Sequence, residues 1–116
     1  MKRDMDLLRA ILLEVEKQPA NQYWKAESLL GYSPGEVVYH IRLASDQGLV
    51  EARFSIDPRD AVVLRLTNSG HEFLDAARSN TVWESAKNTV LKTTGTLTMQ
   101  ALIYMLPKVM ERMLNS

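Results

Sequence analysis

Each of the two histidines in the chain stands at helical spacing from a carboxylate. His40 follows Glu36 by four positions, and His71 precedes Asp75 by four. One helical turn brings such pairs together, so each pair could supply two metal ligands, but a third ligand would have to come from elsewhere. A hydrogen-bonded surface histidine or a half-buried core histidine is the more common arrangement. We therefore expect no metal site, no other cofactor and no catalytic residues.

Other signatures of catalysis are missing from the sequence. There is no cysteine among the 116 residues, which excludes disulfides, thiolate metal sites and cysteine nucleophiles. The sequence also has no glycine-rich phosphate loop and no serine elbow motif. The sequence therefore does not predict an enzyme.

The charge balance bears on the class of partner. Fourteen basic residues match fourteen acidic ones, so the formal net charge is zero, whereas proteins that hold nucleic acid by bulk electrostatics usually carry a basic excess. A hydrophobic share of 46% is typical of one folded domain. Acidic residues near the N-terminus argue against a secretory signal, and no apolar run is long enough to cross a membrane. These features favour a cytoplasmic protein without a membrane partner.

Two helices are predicted in the N-terminal half. Over residues 4–17, apolar residues recur every three or four positions until a proline ends the pattern. The second helix begins with the capping box Ser33-Pro34-Gly35-Glu36 and runs through Gln47 to a glycine. The stretch 20–30 between them can hold at most a short helix.

A β-hairpin and three more helices are predicted after residue 48. Residues 49–55 and 61–66 carry alternating or branched apolar residues, and the polar, proline-containing stretch 56–60 forms the tip. The three helices are one over residues 68–78 capped by Thr67, one capped by Asn80 or Thr81, and one capped by Thr98 that ends near Leu114.

These elements predict a mainly α protein with a small antiparallel β-hairpin. Helix, short connector, capped helix and hairpin follow one another as in a winged helix-turn-helix, here with extra C-terminal helices. Residues 1–80 would form the winged-helix domain. Residues 81–116 would form a helical extension used for dimerisation within one compact unit.

The central sequence resembles the recognition helix and wing of bacterial winged-helix transcriptional regulators. Two runs carry this resemblance, Val37-x-x-His40-Ile41-x-x-Ala44-x-x-x-Gly48-Leu49-Val50 and Leu66-Thr67-x-x-Gly70. The order and spacing of these pieces, more than any one of them, imply the winged-helix fold.

A second resemblance covers nearly the whole chain. The chain is similar to a family of small, uncharacterised proteins found mostly in phages, prophages and related bacterial genomes. This resemblance implies a winged-helix fold and a bacterial host cell, but little about activity. It rests on the opening Met1 to Arg9, on Gly31-Tyr32-Ser33, on Tyr39-His40, on Arg65-Leu66-Thr67-x-x-Gly70-His71-Glu72-Phe73-Leu74-Asp75, and on Thr81-Val82-Trp83.

Two functional hypotheses follow from the winged-helix reading. In the first, the protein is a phage or prophage transcriptional regulator that reads double-stranded DNA with helix 34–47 and wing 51–65. Side chains of the recognition helix, the wing and the N-terminal arm would contact bases and phosphates. The candidate DNA-binding residues are Ser33, Val38, Tyr39, Arg42, Arg53, Arg59, Lys2 and Arg3.

In the second hypothesis, the winged helix binds a host or phage protein and no DNA. Arg42 and the wing arginines favour DNA. An exposed apolar side formed by Val38, Tyr39 and Leu43 would favour a protein partner, as would the acidic balance of this helix.

The last helix is unusually apolar. Eleven of the sixteen positions 99–114 are apolar, and four of the six methionines lie there. A helix that covers a small domain needs only one apolar stripe, so a second face is expected to form a homodimer contact. The alternative is that the helix simply crosses the core. Pro107 is expected to bend or split it. The candidate interface residues are Leu102, Met105, Leu106, Val109, Met110 and Met113.

Overall fold

The computed structural model describes residues 1–115 and divides the chain into two compact units, Met1–His71 and a second that starts at Glu72. The predicted mainly helical fold with a small antiparallel sheet is confirmed. The described elements are α1 (Met5–Glu16), β1 (Trp24–Lys25), α2 (Pro34–Asp46), β2 (Val50–Phe54), β3 (Ala61–Leu66), α3 (Asn68–Ala77), α4 (Asn80–Thr94) and α5 (Met99–Leu114).

Both predicted helices of the first unit form within one or two residues of their expected bounds. The Asp4 carboxylate caps α1 by accepting hydrogen bonds from the next backbone N–H groups, and the apolar stripe of α1 is buried. At α2 the capping box between Ser33 and Glu36 is complete. Gly48 follows the helix with φ 72°, which a glycine adopts without steric cost.

The connector between α1 and α2 contains a strand rather than a helix. Trp24 and Lys25 of β1 pair with Val63 and Val62 of β3. A tight turn follows, with a bridge between residues 29 and 32 and positive φ angles at Leu30 and Gly31. Alternating burial, with Trp24 buried and Lys25 exposed, accounts for the extended conformation.

The hairpin of β2 and β3 completes a three-stranded antiparallel sheet with the order β1-β3-β2. The register shifts between Glu51 and Ala52, where β3 carries one extra residue. Helices α1 and α2 both pack on this sheet. The arrangement is compatible with a winged helix, in which β2, β3 and the loop between them form the wing.

The corner from β3 into α3 fits closely against the end of α2. The Thr67 hydroxyl accepts a hydrogen bond from the Gly70 N–H, as the capping prediction requires, and the Thr67 N–H donates to the Leu49 carbonyl. A Cβ atom at position 70 would overlap the Leu49 carbonyl oxygen. Gly70 therefore allows α3 to approach this backbone.

The second unit is helical in the part of the chain that the structure describes. The cap of α4 is Ser79, whose hydroxyl accepts from the Val82 N–H, so the predicted caps Asn80 and Thr81 are wrong by one or two residues. Phe73 and Trp83 meet edge to face, with ring centroids 6.0 Å apart. Helices α4 and α5 pack against each other.

Pro107 lies inside α5 without splitting it, contrary to one of the two predicted outcomes. The missing proline N–H deprives only the Ile103 carbonyl of its helical partner. Both residues are exposed, so water can satisfy that oxygen. No helix among residues 1–115 is long and apolar enough to span a membrane.

We expect Gly70→Ala to lower the free energy of unfolding by about 1–3 kcal/mol, since the added Cβ forces the α3 backbone away from Leu49. Urea denaturation measures this loss. Ser69→Ala, on an exposed neighbouring position of the same helix, is the control and should change stability by less than about 0.5 kcal/mol. Equal stability of the two variants would show that the corner has room for a side chain.

Candidate nucleic-acid interface

His40 joins the start of α1 to α2 through a fully buried ring. The side chain is 0% exposed, and its Nε2 atom accepts a hydrogen bond from the Asp4 backbone N–H at 2.9 Å. Its Nδ1 atom lies 2.8 Å from the Glu36 carbonyl oxygen. Because an N–H group can only donate and a carbonyl can only accept, the ring is neutral and carries its proton on Nδ1.

Tyr32 completes this cluster from the turn before α2. Its hydroxyl donates to the Asp4 carboxylate, and that hydrogen bond, with burial and the negative charge as smaller causes, raises the pKa of Tyr32. The ring of Tyr32 lies 6.2 Å from the His40 ring, and Tyr39 meets His40 edge to face at 5.8 Å. We refer to Asp4, Tyr32 and His40 as the N-terminal clip.

The clip positions the chain rather than offering a reactive group. Both nitrogens of His40 are engaged, so neither is available to take a proton from a substrate or to bind a metal. His71 is exposed and lies outside the clip. Residues 1–115 contain no group of three or more histidine, cysteine or acidic side chains close enough to hold a metal ion.

The exposed face of α2 presents Tyr39 and Arg42. Tyr39 is 39% exposed, and the Arg42 guanidinium lies over the Phe54 ring of β2, 4.1 Å from its centroid. This stacking restricts the arginine side chain while leaving the residue exposed. At the start of the helix, the Ser33 hydroxyl is exposed but is engaged with Glu36 in the capping box.

Val38 does not belong to this face, so its prediction as an exposed DNA-binding residue is wrong. It is only 3% exposed. Helix α2 packs against α1 on one side and against β2 and β3 on the other, so its buried stripe is wider than one neighbour would require. Leu43 is half-buried. The exposed apolar side that favoured a protein partner is therefore reduced mainly to Tyr39.

The basic N-terminal arm leaves the protein beside α2. Lys2 and Arg3 are exposed and directly precede Asp4, whose backbone N–H is bound to His40 of α2. The clip therefore brings the arm and α2 together, although they are far apart in the sequence. Spacing alone gave no sign of this contact.

The arginine at the wing tip is compensated by a neighbouring carboxylate. The Arg59 Nη2 and Nε atoms donate to the two Asp57 carboxylate oxygens at 2.9 and 3.1 Å. These hydrogen bonds lower the pKa of Asp57 to about 2 and raise the pKa of Arg59. Similarly, Arg65 pairs with Glu51 at 2.9 Å across the hairpin. Neither arginine presents an uncompensated charge.

Arg53 lies on the opposite side of the sheet from the Arg42 stacking site. Both Arg53 and Lys25 stand directly opposite Val62 in the antiparallel register, so the three side chains share one face. Phe54, the next residue of β2, points to the other face. The predicted DNA-binding residues are thus divided between the α2 side and the outer face of the sheet.

The predicted dimer residues of α5 are divided in the same way. Leu102, Leu106 and Val109 are fully buried, which is incompatible with a free interface, because they form the stripe of α5 that faces its own core. Met105 and Met110 are half-buried and Met113 is partly exposed. The exposed apolar residues Ile103 and Leu114 were not among those predicted. The helical phase that separates them from Leu102 was available in the sequence, but the direction of the core was not.

A comparison with family models assigns the chain to a family, and a second comparison finds one curated relative. Residues 2–96 match the family described as "Hypothetical protein (DUF2513)". The chain is also 34% identical to an "Uncharacterized protein" of Haemophilus influenzae over 117 residues. This alignment covers 98% of this chain and 99% of the relative. No solved structure matches the chain. The protein therefore belongs to the DUF2513 family, and the matched residues include the whole N-terminal clip.

We expect His40→Leu to destabilise the protein by about 1–3 kcal/mol, because the Asp4 N–H would lose its acceptor in a partly buried site. Chemical denaturation measures the difference. His71→Leu, at the exposed histidine, is the matched control and should leave stability within about 0.5 kcal/mol. If both variants lose the same stability, the hydrogen bond between Asp4 and His40 does not stabilise the protein.

Proposed function

We propose that the protein is a DNA-binding transcriptional regulator that contacts duplex DNA with the exposed face of α2 and the N-terminal arm. The observation that carries this proposal is the hydrogen bond from the Asp4 N–H to His40. It anchors Lys2 and Arg3 beside the helix that bears Tyr39 and Arg42. Tyr39 and Arg42 on α2, with Lys2 and Arg3 on the arm beside the same helix, supply the hydroxyl and cations that phosphate contacts need.

Arg42 is the residue best suited to read a base. Its guanidinium can donate two hydrogen bonds to guanine or to one phosphate, and the Phe54 ring reduces the side-chain entropy lost on binding. Tyr39 can donate to a phosphate or contact a thymine methyl group. Lys2 and Arg3 would neutralise phosphates next to the groove.

The wing has a smaller role in this proposal than the sequence suggested. Arg59 is held by Asp57, and Arg53 lies on the outer face of the sheet, away from Arg42. About three cations therefore meet the DNA backbone, so non-specific affinity should be weak and strongly dependent on salt. The resemblance to phage and prophage proteins supports a regulator in the cytoplasm of a bacterial host.

A protein-interaction module is the second candidate, and exposed apolar residues of the first unit favour it. Leu30 is 61% exposed at a positive φ of 53°, a conformation uncommon for leucine. Ile56 at the wing tip is also exposed. A winged helix that binds only a host or phage protein would use such side chains and would not need Arg42.

DNA binding is tested with a mixed-sequence duplex at low and physiological salt by fluorescence anisotropy. We expect measurable binding at low salt that weakens steeply as salt rises, and Arg42→Ala should weaken it and lower the salt slope by about one. Arg59→Ala should have a smaller effect. Arg112→Ala, the same loss of charge in α5, is the control and should bind like the wild type. Absence of salt-dependent binding up to about 100 μM contradicts the proposal.

Homodimerisation through α5 is the second part of the proposed function. Ile103, Pro107, Met110 and Leu114 recur at helical spacing and form a stripe next to the buried one, with three of them exposed. A second copy that packs on this stripe would cover it. The interface residues of the proposal are thus Ile103, Met110 and Leu114, in place of the buried Leu102, Leu106 and Val109. Met105 lies on the opposite flank of the buried stripe, and Met113 continues that stripe at the end of the helix.

We expect the wild type to sediment as a dimer and Ile103→Lys/Leu114→Lys to sediment as a monomer at the same concentration, because two buried ammonium groups oppose association. The control, Asn88→Lys/Gln100→Lys, adds the same charge at exposed polar positions and should remain dimeric. A monomeric wild type at high concentration would contradict the α5 interface.

A further inference from the structure

The wing tip holds a fully exposed isoleucine on a rigid loop. Ile56 is 103% exposed, and the residues around it are fixed by hydrogen bonds. The Asp57 N–H donates to the Ser55 hydroxyl at 3.2 Å, and the Arg59 N–H donates to the Asp57 carboxylate at 2.9 Å. The Asp60 N–H bonds the Asp57 carbonyl. An aliphatic side chain presented in this way loses little entropy when it enters a pocket.

The charge of the tip is acidic rather than basic. The ion pair between Asp57 and Arg59 is internally neutral. Asp60 is exposed and forms no ion pair with any residue of the described chain 1–115. A phosphate backbone would be repelled by this tip. A partner with an apolar pocket and a basic rim fits it better.

A depression with two cations and one acid in its lining lies at the sheet, and its volume is about 300 Å³. Val62 lies between Lys25 of β1 and Arg53 of β2. The other lining residues are Phe54, Ser55, Asp60 and Ala61. Two strand spacings place the Cα atoms of Lys25 and Arg53 roughly 10 Å apart, on either side of Val62. Both are exposed, and neither forms an ion pair in the part of the chain that the structure describes. We call this depression the wing basin.

Tip and basin belong to the same wing, but Ile56 does not fill the basin of its own chain. Ser55 and Asp60 line the edge of the basin, while the side chain of Ile56 is entirely in solvent. The basin is larger than one aliphatic side chain. The basin is therefore open to a side chain of another molecule.

We propose that the wings of two copies of this chain bind each other, with Ile56 of each copy inserted into the wing basin of the other. Ile56 contacts Val62, and Asp60 approaches Lys25 and Arg53. Because tip and basin are neighbours on one wing, a single two-fold axis can form both contacts, which gives a closed dimer instead of a filament. The contact uses neither Arg42 nor the residues of the α5 stripe, although Phe54, on which Arg42 stacks, also lines the basin.

The contact is small, so its affinity is low. Interfaces below about 1,200 Å² are typical of weak, transient association. Another interface or a shared DNA can hold two copies near each other. The weak wing contact then strengthens the association of the two copies, because it forms as an effectively intramolecular contact. The wing would then act as a cooperativity contact between copies.

The direct test is an isotope-filtered NOE experiment on a mixture of labelled and unlabelled wild-type protein near 1 mM. We expect intermolecular NOEs between the methyl groups of Ile56 and those of Val62. The proposal is overturned if these NOEs are absent and the chemical shifts of Val62 and Arg53 do not change with protein concentration. Shifts at these residues on addition of duplex DNA, without NOEs between copies, overturn it as well and assign the basin to nucleic acid.

Variants provide a second test by complementation in the Ile103→Lys/Leu114→Lys background, which removes the proposed α5 contact. Ile56→Lys breaks the tip, because it brings a third cation between Lys25 and Arg53, and Arg53→Glu breaks the basin, so each alone should associate at least about tenfold more weakly. Their mixture should regain one of the two contacts, since an intact tip then meets an intact basin. Leu91→Lys and Lys17→Glu, at exposed positions outside the tip and the basin, are matched controls.

Self-association of Ile56→Lys with unchanged affinity would overturn the wing contact. So would a mixture that associates no better than its components while β2 and β3 retain their wild-type amide shifts. Neither outcome depends on DNA binding, because Arg42→Ala tests the α2 face separately.

Discussion

The first unit depends on a hydrogen bond between a backbone N–H and a buried imidazole. His40 accepts from Asp4 and donates to Glu36, so one neutral side chain joins the cap of α1 to the body of α2. Tyr32 holds the same aspartate from the preceding turn. An unpaired polar group in this setting is costly, which makes the three partners interdependent. The path of the N-terminal arm follows from this arrangement.

The double packing of α2 decides which side chains remain for function. Contacts with α1 and with the sheet bury Val37, Val38 and Ile41, and the surface keeps Tyr39 and Arg42. The structure also decides which charges of the neutral chain are paired and which are not. Arg59 and Arg65 are balanced by neighbouring acids, whereas Arg42, Arg53 and Lys25 form no ion pair within residues 1–115. Local pairing therefore separates two surfaces of different character on one small unit, the α2 face and the wing basin.

Much of the fold could be predicted because its signals are local. The capping box at Ser33 and Glu36, the glycine after α2 and the branched residues of β3 act on residues only a few positions away, and the structure follows them closely. Strand β1 was missed because two residues carry no periodicity, and they extend only because β3 offers partners. Ser79 replaced the predicted cap of α4 because neighbouring polar residues are equivalent in sequence.

The sequence by itself determined the helices and the hairpin and supplied most of the candidate contact residues, since each depends on residue type and short spacing. Only the tertiary structure decided which of those residues are available. Val38 and Leu102 have the right types, but they are buried by elements distant in sequence. Arg42 stacks on Phe54, and Arg53, the residue before Phe54 in β2, points to the opposite face of the sheet. Lys2 is held near α2 because the Asp4 N–H donates to His40. Burial and juxtaposition depend on long-range packing, which no local pattern encodes.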